Sequence, residues 1–142
     1  MNFLLDTDHI SIRQKQSGPD YAALMARIAQ VPRSDLAFCI VSFHEQFLGC
    51  NSYIAQAKTT ADIVRGYQMF DRVLSAFAAA LVLPFDNNAS VVFNRLTAQR
   101  LRIATMDLRI ASIALSQGLA LLTRNSRDFS KVPRPVIKDW TI

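Results

Sequence analysis

Glutamate is almost missing from this chain: ten of its eleven acidic residues are aspartate, and the single glutamate is Glu45. Cysteine is nearly as scarce. Cys39 and Cys50 are the only two, with no CxxC and no Cys/His spacing of the metal-binding kind. That excludes a disulfide framework and a zinc site, and predicts two reduced structural thiols. Long hydrophobic runs are absent too. The longest, "AFAAALVLPF" at 76–85, contains a proline and is too short to span a bilayer, so no membrane association is expected. No basic segment precedes an apolar run at the N-terminus, so the expected location is cytoplasmic. There is no internal repeat and no low-complexity tract.

What is present suits one globular domain, 1–142. Apolar residues make up 51% of the 142 and charged residues 19%, enough for a core and too little charge for bulk disorder. Sixteen Lys/Arg against eleven Asp/Glu give a net charge of +5, which leans toward a polyanionic partner.

Residues 2–5, 36–41 ("LAFCIV"), 80–85 ("ALVLPF") and 119–123 ("LALLT") are continuous apolar runs that read as strands, with a short edge strand at 135–137. Helices are predicted over 19–31, from Ser42 through "FHEQFLG", from 59 or 60 to about 78, from Asp86 or Asn87 to about 101, and over 106–117. On the 59–78 helix, Ile63, Tyr67, Phe70 and Leu74 share a face. Ser42 and Glu45 have the spacing of a capping box, and Asp8 that of an N-cap for the first helix. Apolar strands separated by helices predict an α/β sandwich with a mainly parallel sheet of four to five strands. Ligands in such folds gather at the carboxyl ends of the strands.

Several acids fall at that rim. Asp6 ends the first strand in "FLLDTDHIS", Glu45 follows the second, and Asn125 and Asp128 follow the fourth. Asp107 opens a helix whose inner face carries Ile110, Ala111 and Ala114. Each has a plain structural reading as a turn, capping or helix-dipole residue; convergence is what points further. Crowded carboxylates repel unless a cation intervenes, and hard oxygen ligands suit Mg²⁺ or Mn²⁺. Such ions activate water and neutralise charge on a phosphodiester. No convincing Ser or Cys nucleophile accompanies them.

"FLLDTDHIS", "VSFHEQFLG", "RIATMDLRIASIA" and "LLTRNSRDF" occur in the order and approximate spacing of the PIN domain, and the chain most resembles the VapC-type toxins of bacterial toxin–antitoxin pairs. The resemblance implies a Mg²⁺- or Mn²⁺-dependent ribonuclease, usually a homodimer, neutralised by a small cognate antitoxin. It matches Asp6, Glu45 and Asp107 to the family's carboxylates, with Asp6 and Asp107 as metal ligands. Asn125 is preferred to Asp128 for the variable fourth position; an amide there brings no charge and would hold a second metal weakly. Thr123 is expected to bond a metal-bound water. Asp8 stands where many relatives have asparagine, and His9 reads as a packing or hydrogen-bonding residue, because Mg²⁺ prefers oxygen. Arg102, Arg109, Arg124 and Arg127 cluster in sequence around the site as candidate RNA-phosphate contacts. The aromatic and aliphatic excess of the 59–80 helix suggests the homodimer surface.

Two rival readings remain. A catalytically inactive PIN-like RNA-binding module would share the fold. A haloacid dehalogenase-type phosphatase also begins with a strand and Asp-x-Asp, but needs a later lysine and paired acids at a strand end; Lys15, Lys58, Lys131 and Lys138 fall in expected loops or tails, and no paired acids follow a strand.

Overall fold

In the computed structural model, which describes residues 2–142, five strands form one all-parallel sheet: β1 (Phe3–Leu5), β2 (Leu36–Cys39), β3 (Val82–Leu83), β4 (Ala120–Leu122) and β5 (Ile137–Lys138). Their order is β3-β2-β1-β4-β5. The central β1 pairs with β2 (Phe3 with Leu36, Leu4 with Ala37) and with β4 (Phe3 with Ala120, Leu5 with Leu122). The chain leaves β1 for one side of the sheet and later returns to the other. In folds of this kind ligands bind where the strand order reverses, here at the carboxyl ends of β1 and β4.

The strands are apolar throughout because both faces of the sheet are covered. Leu4 and Leu5 are fully buried, yet they point to opposite sides, as successive strand residues must. Leu4 packs with Ala37, Cys39, Ile110, Ile113, Ala114 and Leu121, under α5 (Asn87–Ala98) and α6 (Thr105–Gln117). Leu5 packs with Ile10, Leu24, Phe38, Phe77 and Trp140, under α1 (Thr7–Lys15), α2 (Pro19–Ile28) and α4 (Thr60–Ala78). α3 (Ile40–Ala55) follows β2, and a short α7 (Ser126–Phe129) follows β4.

At α4 and α5, where a polar side chain caps the helix, the sequence placed the boundary well. Thr59 accepts the Asp62 N–H at 3.1 Å and starts α4, and Asp86 accepts the Ala89 N–H at 2.9 Å and starts α5. Two expectations need correction. The capping box at Ser42 does not form. β2 ends at Cys39, α3 begins at Ile40, and Ser42 is buried inside the first turn, with its hydroxyl 3.6 Å from Cys39 Sγ. A continuous apolar run cannot show where a buried strand becomes a buried helix. The N-cap of α1 is Asp6, which accepts the Thr7 N–H at 2.8 Å; Asp8 lies in the first turn. On α4, the face carrying Ile63, Tyr67 and Leu74 is exposed, and Gly66, Val73 and Phe77 are the buried residues. Glycine is required at position 66 by close approach: a Cβ there would lie 2.3 Å from Ile54 Cγ1 of α3.

Candidate functional site

Asp6, Glu45 and Asp107 come from the end of β1, the second turn of α3 and the first turn of α6, and they meet. One oxygen from each lies within 4.8 Å of the others, with Asp6 buried and the other two half-buried. The chain folds them together because β1 and β2 are paired in parallel, so the segments that follow both strands emerge at the same rim.

Short side chains hold the acids in place. The Thr123 hydroxyl donates to Asp6 Oδ2 at 2.7 Å and itself accepts the Asn125 N–H at 3.0 Å. The Thr7 hydroxyl donates to Glu45 Oε1 at 2.7 Å and lies 3.0 Å from Ser42 Oγ. Thr7 was not singled out from the sequence, and Ser42 was read there only as a helix cap. Thr7 sits next to Asp6, and only the β1–β2 register puts a threonine beside the glutamate.

The electrostatics follow from crowding. Burial pushes the Asp6 carboxyl up to about 7, helped by the Asp8 charge and opposed by the Thr123 and Thr7 hydrogen bonds. Burial, then the charges of Glu45, Asp128 and Asp8, push Asp107 up to about 6. None of the three acids pairs with a lysine or arginine among the described residues. All the donors are hard oxygens, the charge is uncompensated, and a divalent cation of the Mg²⁺ or Mn²⁺ type fits this set.

The other candidates are placed differently. Asn125 Nδ2 donates to Asp128 Oδ2 at 3.2 Å and reaches Asp107 Oδ2 at 3.4 Å, so the amide lies between two acids. Both Asp128 oxygens already have partners. Oδ1 accepts from Lys131 Nζ at 3.1 Å, which holds the Asp128 carboxyl below the ordinary range, and Lys131 also donates to the Arg102 carbonyl at 2.9 Å. Thr123 contacts Asp6 directly. Asp8 accepts the Arg124 backbone N–H at 2.9 Å and bonds His9 Nδ1 at 2.7 Å. Arg102, Arg124 and Arg127 are exposed, the last two flanking Asn125. Arg109 is half-buried, with its guanidinium 6.0 Å from the Phe93 ring centre and Nη1 3.6 Å from Met106 Sδ, so packing already occupies it.

No protein-family model and no curated protein matches the chain. Solved structures do. It superposes on a chain of VapBC-1 from nontypeable Haemophilus influenzae with a TM-score of 0.76 and 21% identity, covering 100% of both chains. A chain of DNA-bound VapBC from Salmonella typhimurium gives 0.73 at 23% identity, over 99% of this chain and 98% of that one. VapBC-5 from Mycobacterium tuberculosis, described as a member of the VapBC family of toxin–antitoxin systems, gives 0.59 at 21% identity, over 97% and 96%. The chain therefore has the PIN-like fold of VapC-type proteins. No described helix is long and apolar enough to cross a membrane.

Proposed function

We propose that this chain is a divalent-metal-dependent ribonuclease, the toxin of a toxin–antitoxin pair. The observation that carries the reading is the convergence of Asp6, Glu45 and Asp107 from three segments without a basic partner among the described residues. Such a cluster is unfavourable by itself and becomes favourable around a cation. Asp6 and Asp107 would hold Mg²⁺ or Mn²⁺, with Glu45 beside them. When bound, the ion supplies positive charge that neutralises a phosphodiester and makes water acidic enough to attack it.

The protein's own groups do the rest. Thr123 keeps one Asp6 oxygen fixed, and Thr7 does the same for Glu45. Asn125 is neutral and adds no charge beside Asp107. The exposed guanidinium groups of Arg102, Arg124 and Arg127 bind backbone phosphates, which positions RNA without reading its sequence. An antitoxin partner is supported by the fold shared with the VapBC chains. A homodimer is supported by the exposed apolar faces of α3 and α4, where Phe47, Tyr67 and Leu74 meet solvent and Phe47 stacks edge-on against Phe70 at 5.3 Å. A protein with this fold in the cytoplasm would meet RNA directly. The phosphatase reading is weaker, because the Asp8 carboxylate that would serve as its acid is engaged by the His9 ring and the Arg124 N–H.

The test is cleavage of a labelled RNA by the purified protein with Mn²⁺, with Mg²⁺ and with EDTA. Cleavage that requires the ion supports the proposal. RNA binding without cleavage under every condition would instead assign an inactive binding module.

A further inference from the structure

Behind the three carboxylates runs a set of hydrogen bonds, buried at its His9–Trp140 end, that the proposed chemistry does not use. His9 is fully buried. Its Nε2 accepts the Trp140 backbone N–H at 3.1 Å, so that nitrogen carries a lone pair and the ring proton sits on Nδ1. Nδ1–H then donates to Asp8 Oδ1 at 2.7 Å. Asp139 also faces the ring, but at 3.7 Å from Nε2 it is beyond hydrogen-bond range. Trp140 is buried, with its ring centre 4.7 Å from that of Phe3, which anchors the N–H that orients the imidazole.

The second Asp8 oxygen, Oδ2, accepts the Arg124 N–H at 2.9 Å and lies 3.2 Å from the Thr123 hydroxyl. Both oxygens of Asp8 therefore face N–H donors whose polarity is set elsewhere: one by Trp140 through the imidazole, the other by the backbone. An asparagine has a single acceptor oxygen and would turn its amide NH₂ toward one of those donors. With His9 in this tautomer, only a carboxylate at position 8 accepts from both; an asparagine leaves either the buried imidazole N–H or the solvent-facing Arg124 N–H without its acceptor, and so loosens one end of the link.

We propose that Asp8 and His9 are positioning residues of the metal centre, and that the segment around Trp140 belongs to its frame. Together they hold the 123–125 loop so that the Thr123 hydroxyl meets Asp6 and the Asn125 amide lies against Asp107. This rests on reading Asp6, Glu45 and Asp107 as a metal site. It also replaces the role of Asp8 as a helix cap with that of a brace between β4 and the 139–141 segment.

The experiment is calorimetric titration of the metal-free protein with Mn²⁺ for the wild type, Asp8→Asn, His9→Phe and the double variant, with circular dichroism to confirm folding. Each single substitution should weaken Mn²⁺ binding about tenfold, the lower end of what partners of metal ligands contribute. The double variant should be no weaker than either single one, since both remove the same brace. Folded single variants with wild-type affinity would overturn the proposal, and so would additive losses in the double variant. If a substitution prevents folding, the wild type decides: ¹⁵N–¹H correlation should place the His9 proton on Nδ1, and a proton on Nε2 would refute the brace. A wild type that binds no Mn²⁺ overturns the metal reading and this role with it; a wild type that binds beside unaffected variants overturns this role alone.

Discussion

Asp107→Asn should make the protein more stable without metal and less stable with it. The amide is nearly isosteric and keeps an oxygen for the Asn125 Nδ2 contact at 3.4 Å. It removes the charge that burial and the neighbouring Glu45 carboxylate disfavour. The carboxyl is pushed from its ordinary 3.8 to about 6. At about 1.4 kcal/mol per pH unit, that gap corresponds to about 3 kcal/mol of native-state penalty in the wild type above pH 6. The side chain is only half-buried, so solvent screening reduces this to about 1–2 kcal/mol. For a chain of this length that is a rise of roughly 3–6 °C in Tm at pH 7.5 in EDTA. Mn²⁺ at a hundred times its Kd would stabilise the wild type by about 2.7 kcal/mol and the variant much less. The order of the two melting curves should therefore invert on adding the ion. Differential scanning calorimetry of both proteins in EDTA and in Mn²⁺ is the assay, with RNA cleavage alongside; the variant should not cleave. A variant less stable than the wild type in EDTA, with equal shifts in Mn²⁺ for both, would refute the charge argument.

Metal-free stability should fall as pH rises from about 4 to 7. Asp6 and Asp107 have raised folded-state values of about 7 and about 6, so the native state holds more protons than the unfolded chain through that window. The acids with lowered values, Asp62, Asp128 and Asp139, titrate below 3.8 and do not oppose the trend there. Urea melts at several pH values in EDTA would show it, and a flat profile would count against the buried cluster. Asp128→Asn should leave Mn²⁺ affinity nearly unchanged, because the Asp128 oxygens already serve Lys131 and Asn125; a large loss in calorimetry would make Asp128 a ligand. Gly66→Ala should cost about 1–3 kcal/mol in chemical denaturation, because the added methyl meets the Ile54 side chain of α3 at 2.3 Å.

The sequence by itself determined the class of the fold and the end of the sheet where the acids would gather. Strands buried on both faces must be apolar at every position, and "FLL", "LAFC" and "ALL" are. Helix starts marked by a polar cap, such as Thr59 and Asp86, were legible because capping is local chemistry. Asp6, Glu45 and Asp107 stood out as acids at the ends of apolar segments.

The tertiary structure decided what each polar group does once it gets there. Whether Ser42 caps α3 or lies buried inside it depends on where β2 stops pairing, and an apolar run carries no mark for that. Which face of α4 is buried depends on how closely Gly66 lets it approach Ile54. Asp8 reads as a cap in sequence because only its neighbours are visible there. In the fold its partners include Thr123 and Arg124, more than a hundred residues away, and Trp140 reaches it through the His9 ring. Hydrogen bonds between distant segments leave no periodicity in the chain, and they are what turns three acids at one rim into a site of defined shape.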